Sequence, residues 1–182
     1  MSSSASSRVP RKPRVIGPRS TFAIVASMYN QHYVAGLLEA AKNEILGIMP
    51  NASVPLYRVP GAYEIPVCCE YIIQYTKADV IIALGVVMRG ATGHADLVAK
   101  SVAGTLQDIS CKNLVPIVNE VLLLDTEEQA HERCLGNEIN RGAEAARAAL
   151  NMAELWQKLR TAYPDRVDRE ADARAKAKVG AI

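Results

Sequence analysis

The chain is poor in aromatic residues, with one Phe, one Trp and seven Tyr among 182 residues. A core built on aromatic anchors is excluded, so packing must come from Val, Ile, Leu and Ala. Cysteine is scarce as well. Cys68, Cys69, Cys111 and Cys134 form no CxxC pair. That argues against a zinc site or a disulfide framework, and for small buried thiols in a reducing compartment. A cytoplasmic protein is expected on that ground. No run of about twenty apolar residues occurs, so no membrane span is expected. The opening residues lack an apolar core and do not read as a secretory signal. Charge of one sign is lacking: 21 Lys and Arg stand against 19 Asp and Glu, leaving +2. That balance gives no footprint for nucleic acid. Neither a Gly-Lys-Ser/Thr phosphate loop nor a GxGxxG turn is present.

What is present suits one well-packed domain, with 49% hydrophobic residues. Residues 1–19 are rich in Ser, Pro and Arg. Arg8, Arg11, Lys12, Arg14 and Arg19 carry charge with no acid among them, which reads as a disordered basic arm. Residues 161–182 mix charges with alanine and read as a charged tail, with Pro164 ending the preceding helix. The expected domain is 20–160.

Within it, apolar patterns alternate between two periods. Thr21–Ser27 reads as a strand. Val34, Leu37, Leu38, Ala41 and Ile45 follow at helical spacing. Val54–Val59 is a short strand ended by Pro60-Gly61. Glu64–Tyr75 reads as a helix with Pro66 in its first turn. The unbroken run ADVIIALGVVM has the composition of a central strand covered on both faces. His94–Cys111 is a helix, and LVPIVNEVLLL a strand. Asp125 with Glu128 suggests a capping box for a short helix that Gly136 interrupts. A last helix runs from about Asn140 to Leu159, with Ala145, Ala146, Ala149, Met152, Ala153 and Trp156 on one face. The order β-α-β-α-β-α-β-α-α predicts an α/β fold, a parallel sheet with helices on both faces. In such sheets ligands bind beyond the carboxyl ends of the strands.

Four loops reach that edge: Met28-Tyr29-Asn30, Pro60–Glu64, Arg89–His94 and the segment after Asn119. Gly90-Ala91-Thr92-Gly93 opens a helix, where free N–H groups and a hydroxyl form an anion site or simply a turn. His94, next to it, either shuttles protons or caps and packs. Tyr29 and Tyr63 either stack on a planar heterocycle or pack at the rim. Glu64 either accepts hydrogen bonds from hydroxyls or answers the helix dipole. Arg133 and Arg141 are suited to phosphate by their planar forks, or they form a solvated helix face. His32 and His131 lack such company and read as surface residues.

VPGAYEIP (Val59–Pro66), ALGVVMRGATGHADLV (Ala83–Val98), VP…DTEEQAHER (Val115–Arg133) and NRGAEAARAAL (Asn140–Leu150) occur in this order. Together they make Phe22–Leu159 resemble the 6,7-dimethyl-8-ribityllumazine synthase family of riboflavin biosynthesis. The resemblance implies a flavodoxin-like three-layer αβα sandwich with a four-stranded parallel sheet. It implies pentamers, in some members joined into decamers or icosahedral 60-mers, with active sites between adjacent subunits. It implies a transferase that condenses 5-amino-6-(D-ribitylamino)uracil with 3,4-dihydroxy-2-butanone 4-phosphate, releasing phosphate and water and needing no cofactor and no metal.

Carried over by matched position, His94 transfers protons. Ala91, Thr92 and Arg133 hold phosphate. Tyr29 stacks on the pyrimidine, and Asn30 lies close by. Ala62, Tyr63 and Glu64 line the ribityl chain, and Val86, Val87 and Met88 offer backbone to the pyrimidine. Arg141 stands where a lysine is common. Asn119 stands where a neighbour-reaching phenylalanine is common, Glu120 where a glycine is, and Ala95 where an aromatic follows the histidine. Those departures motivate a second reading, a shell-forming or flavin-binding relative that has lost chemistry. A nucleotide-binding module on the same fold is a third, opposed by the missing phosphate loop.

Overall fold

The computed structural model describes residues 20–163. The arm at 1–19 and the tail from residue 164 lie outside them. Four parallel strands form one sheet in the order β2-β1-β3-β4. They are β1 (Phe22–Ser27), β2 (Leu56–Val59), β3 (Val80–Met88) and β4 (Ile117–Leu124). The helices are α1 (Gln31–Ile48), α2 (Ile65–Tyr75), α3 (His94–Asn113), α4 (Glu127–Leu135) and α5 (Arg141–Ala162). The arrangement is flavodoxin-like.

The central strands are buried on both faces, and their side chains divide by strand alternation. Phe22, Ile24 and Ala26 of β1 join Val80, Ile82, Leu84 and Val86 of β3 in one apolar cluster under α1, α4 and α5. Ala23 and Val25 join Ile81 and Ala83 in the other, under α2 and α3. Each fully buried Leu, Ile or Val contributes about 1.5–3 kcal/mol, so two dry layers hold β1 and β3 rigid. That rigidity fixes the strand ends from which the site is built.

The alanine face of α5 permits close helix packing. Gly142 lies against α1 so tightly that a β-carbon there would stand 2.1 Å from the Leu37 carbonyl oxygen.

Several expected boundaries move. β2 begins at Leu56 rather than Val54. β4 begins at Ile117 rather than Leu114. Leu114 instead ends α3 in a left-handed conformation (φ 53°), and Pro116 has no N–H for the ladder. The cap of α4 is Thr126, not Asp125: its hydroxyl accepts from the Gln129 N–H at 3.2 Å. Gln129 Oε1 returns to the Asp125 N–H at 2.9 Å, so the reciprocal pair sits one residue later than expected. α5 runs past residue 160 to Ala162. Cys69 and Cys134 are buried, Cys68 is half-buried, and Cys111 is exposed against expectation; all four thiols are free. No helix among the described residues is long and apolar enough to cross a membrane.

Candidate active site

The order of the strands reverses its growth at β1 and β3, and the crevice at such a point lies beyond the strands' carboxyl ends. A cleft of about 400 Å³ opens there. Tyr29, Asn30, Ala62, Tyr63, Glu64, Val86, Val87, Met88 and His94 line it, with Gly61 and Val98. Nine residues singled out from four separate stretches of sequence thus meet in one place.

Asn30 makes the first join. It takes the left-handed conformation (φ 52°) before α1, which asparagine tolerates better than most residues. Its Nδ2 then donates to the Val86 carbonyl at 2.8 Å, tying the loop after β1 to the end of β3. Tyr29, on the same loop, stands 71% exposed. Its ring lies over Gly61, where a β-carbon would be 3.1 Å from Tyr29 Cδ2. The ring lines the cleft beside a position where a side chain would displace it.

Glu64 makes the second join. The Gly61 N–H donates to its Oε2 at 2.8 Å, which closes the Pro-Gly-Ala-Tyr turn and the 3-10 turn Ala62–Glu64. One carboxylate oxygen thus shapes the rim while the group still lines the cleft.

The loop after β3 explains the cation that strand delivers. Arg89 is exposed and bridges Asp96 on α3 and Asp125 before α4. Hydrogen bonding to both carboxylates raises its pKa further, and Arg89 holds Asp96 below its ordinary range. Arg89 is therefore a clamp on the loop, its charge already balanced. The clamp sets residues 90–93 at the start of α3, where no side chain among the described residues caps the helix. α1 also begins without a side-chain cap or an acid in its first turn. Two helix N-termini without a side-chain cap thus flank the cleft; α1 has no acid in its first turn, whereas α3 carries Asp96 there, paired with Arg89. Ala91, Thr92 and His94 are exposed there.

The remaining candidates lie elsewhere on the chain. Asn119 is exposed on β4, where its Oδ1 accepts from the Val121 N–H at 3.1 Å. Arg133 is exposed on α4. Arg141 donates to Glu120 at 2.9 Å and to Glu144 at 2.6 Å. None of the three lines the cleft. Ala95 is 6% exposed and turned inward, so it is not part of the cleft wall.

Sequence reasoning had Gly61 only as part of the Pro60–Glu64 loop and Glu120 only as a departure from the family pattern, and it passed over Val98 and the partner of Glu120. Val98 lies one turn beyond His94 and was findable by helical spacing. The Glu120–Arg141 pair is 21 residues apart in sequence and had no local trace. Burial pushes the Glu120 carboxyl up to about 6, although Arg141 pulls it down. Among the described residues no group of three or more His, Cys, Asp or Glu is placed to hold a metal.

Fold and cleft define a flavodoxin-like α/β protein with a cleft at the carboxyl edge of its sheet. Residues 19–157 match the family model of 6,7-dimethyl-8-ribityllumazine synthase, and the chain belongs to that family. It is 39% identical over 141 residues to the 6,7-dimethyl-8-ribityllumazine synthase of Leuconostoc mesenteroides, covering 76% of this chain and 90% of that one. It is 40% identical over 140 residues to the enzyme of the same name from Aquifex aeolicus, covering 76% and 91%. The family is one of transferases in riboflavin biosynthesis.

Proposed function

We propose that the chain condenses 5-amino-6-(D-ribitylamino)uracil with 3,4-dihydroxy-2-butanone 4-phosphate to 6,7-dimethyl-8-ribityllumazine. The observation that carries this reading is the convergence of Tyr29, the Ala62–Glu64 turn, the end of β3 and His94 on one cleft. The pyrimidine stacks on Tyr29 and meets the backbone of Val86–Met88. The ribityl hydroxyls reach Glu64, whose second oxygen is available to accept from them. The phosphate rests at the open start of α3 with Ala91 and Thr92.

The amine of the pyrimidine attacks the ketone, water leaves, and an imine forms. Phosphate departs, and the second amine closes the ring with loss of another water. Each step moves a proton, and His94 at the phosphate end of the cleft is placed to carry them. Orientation of the two substrates supplies much of the remaining acceleration. Arg133 supplies the phosphate's counter-charge from an adjacent subunit, so the reading includes a pentamer, alone or built into a larger shell. It also includes a cytoplasmic protein whose 20–160 segment is the whole catalytic domain, with both tails outside it.

The assay follows the fluorescence of the lumazine product. His94→Ala is expected to lower kcat by about 100-fold, the usual scale of a lost proton shuttle. Arg133→Ala is expected to raise KM for the phosphate substrate about tenfold, the loss of one charge-assisted contact. Wild-type protein that neither turns over nor binds the pyrimidine would refute the assignment.

A further inference from the structure

Glu120 is a buried acid on an edge strand, its side chain only 7% exposed. It faces the first turn of α5, where Arg141 Nε donates to its Oε1 at 2.9 Å. Glu144, one turn along, accepts from Arg141 Nη1 at 2.6 Å. A guanidinium binds phosphate through one of two bidentate edges, Nε with Nη2 or Nη1 with Nη2. Here each edge has one nitrogen already engaged by a carboxylate. Two acids are set against one cation. Arg133 lies within the same field, because its charge also acts on Glu120.

We propose that Glu120 sets the phosphate affinity of the site by holding Arg141 away from the phosphate-bearing substrate, leaving Arg133 to bind it. This rests on the reading above, in which Arg133 serves a neighbour's phosphate site, and on Arg141 sharing the cluster around Glu120 with it. Glu120 touches no substrate. It acts on Arg141, and through Arg141 on the charge that the phosphate meets. Glu120, Arg141 and Glu144 sum to one negative charge, and Arg133 brings the patch to neutrality. Neutralising Glu120 makes the patch cationic and weakens the hold on the Nε–Nη2 edge, because an uncharged acceptor binds a guanidinium less tightly than a carboxylate does. A unit of charge several ångströms from the phosphate, in a partly solvated setting, changes its binding about five- to tenfold.

The test titrates the assembled protein with inorganic phosphate by calorimetry and measures KM for the butanone phosphate. Glu120→Gln is expected to tighten phosphate about five- to tenfold and to lower KM, with a smaller change in kcat. Arg141→Ala alone is expected to weaken phosphate less than Arg133→Ala does, and to reduce the gain when added to Glu120→Gln, since the released guanidinium is then missing. Phosphate binding unchanged or weakened in Glu120→Gln would overturn the proposal. So would a gain that Arg141→Ala leaves undiminished, because Glu120 would then not act through Arg141. If Glu120→Gln fails to assemble, Glu144→Gln removes the charge that holds the other edge. Tightening there supports the proposal, and its absence overturns it. Wild-type protein without turnover would count against the assigned reaction, while the phosphate titration would still decide the role of Glu120.

Discussion

Glu120→Gln should stabilise the fold more at pH 7.5 than at pH 4.5. In the folded chain, burial pushes the Glu120 carboxyl from its ordinary 4.5 up to about 6, despite the opposing pull of Arg141. An acid whose folded pKa is raised favours the folded state while it is protonated. Its contribution is fully present below the unfolded value near 4.5 and is lost as pH rises through about 6. At about 1.4 kcal/mol per tenfold change in proton affinity, the loss is about 2 kcal/mol. The other charged groups in this cluster are Arg133, Arg141 and Glu144, with the Cys134 thiol pushed up to about 11 by burial. The measurement is chemical denaturation at fixed protein concentration, at half-unit steps of pH, for wild type and Glu120→Gln. The stability difference should grow by about 2 kcal/mol in favour of the variant between pH 4.5 and 7.5. A difference that shrinks or reverses would mean that the Arg141 pair outweighs the cost of burying the carboxylate, and the reasoning would fail.

Two further substitutions test the frame that carries the cleft. Gly142→Ala puts a β-carbon 2.1 Å from the Leu37 carbonyl oxygen, so α1 and α5 must part. A loss of about 2–3 kcal/mol is expected in denaturant melts, and an unchanged midpoint would refute the close crossing. Asn30→Ala removes the 2.8 Å bond to Val86 and leaves an unfavourable left-handed residue. It should cost about 2 kcal/mol and weaken pyrimidine binding together, because Tyr29 and Val86 lose their common anchor. Weakened stability with unchanged pyrimidine binding would show that Asn30 does not position the cleft.

The sheet was legible because its signals are local. The unbroken run of β3 and the helical spacing of α1 follow from burial on two faces and on one. The cleft was legible for a related reason: in a parallel sheet every strand ends at the same edge, so Tyr29, Glu64, Met88 and His94 had to be neighbours. What escaped was of two kinds. Caps and strand starts turned on single hydrogen bonds, such as Thr126 to Gln129, for which Asp125 was an equally good sequence candidate. Long-range ion pairs left no pattern at all. Glu120 was visible only as an acid where the family commonly has a glycine, and Arg89 only as a cation at a strand end. Their partners Arg141, Asp96 and Asp125 emerge from three-dimensional packing.

The charge of the cleft argues for a second subunit. Its ionisable lining is His94 and Glu64 with two tyrosines, and no lysine or arginine. Arg89, the nearest cation in sequence, is balanced by Asp96 and Asp125. A phosphate dianion held there by helix N-termini alone would lack a counter-charge. Arg133 is exposed on α4 and makes no ion pair among the described residues, which suits a residue that serves a neighbour's cleft. If so, His94→Ala and Arg133→Ala impair different halves of a shared site, and both lose activity when the phosphate substrate is held well below its KM. Dissociating the two variants and reassembling them as a mixture should restore about a quarter of the sites, since half supply His94 and half of those meet Arg133. Sites confined to one chain would give no recovery, because every subunit would lack one of the two. Activity of the mixture no higher than the mean of the two variants would therefore refute a shared site.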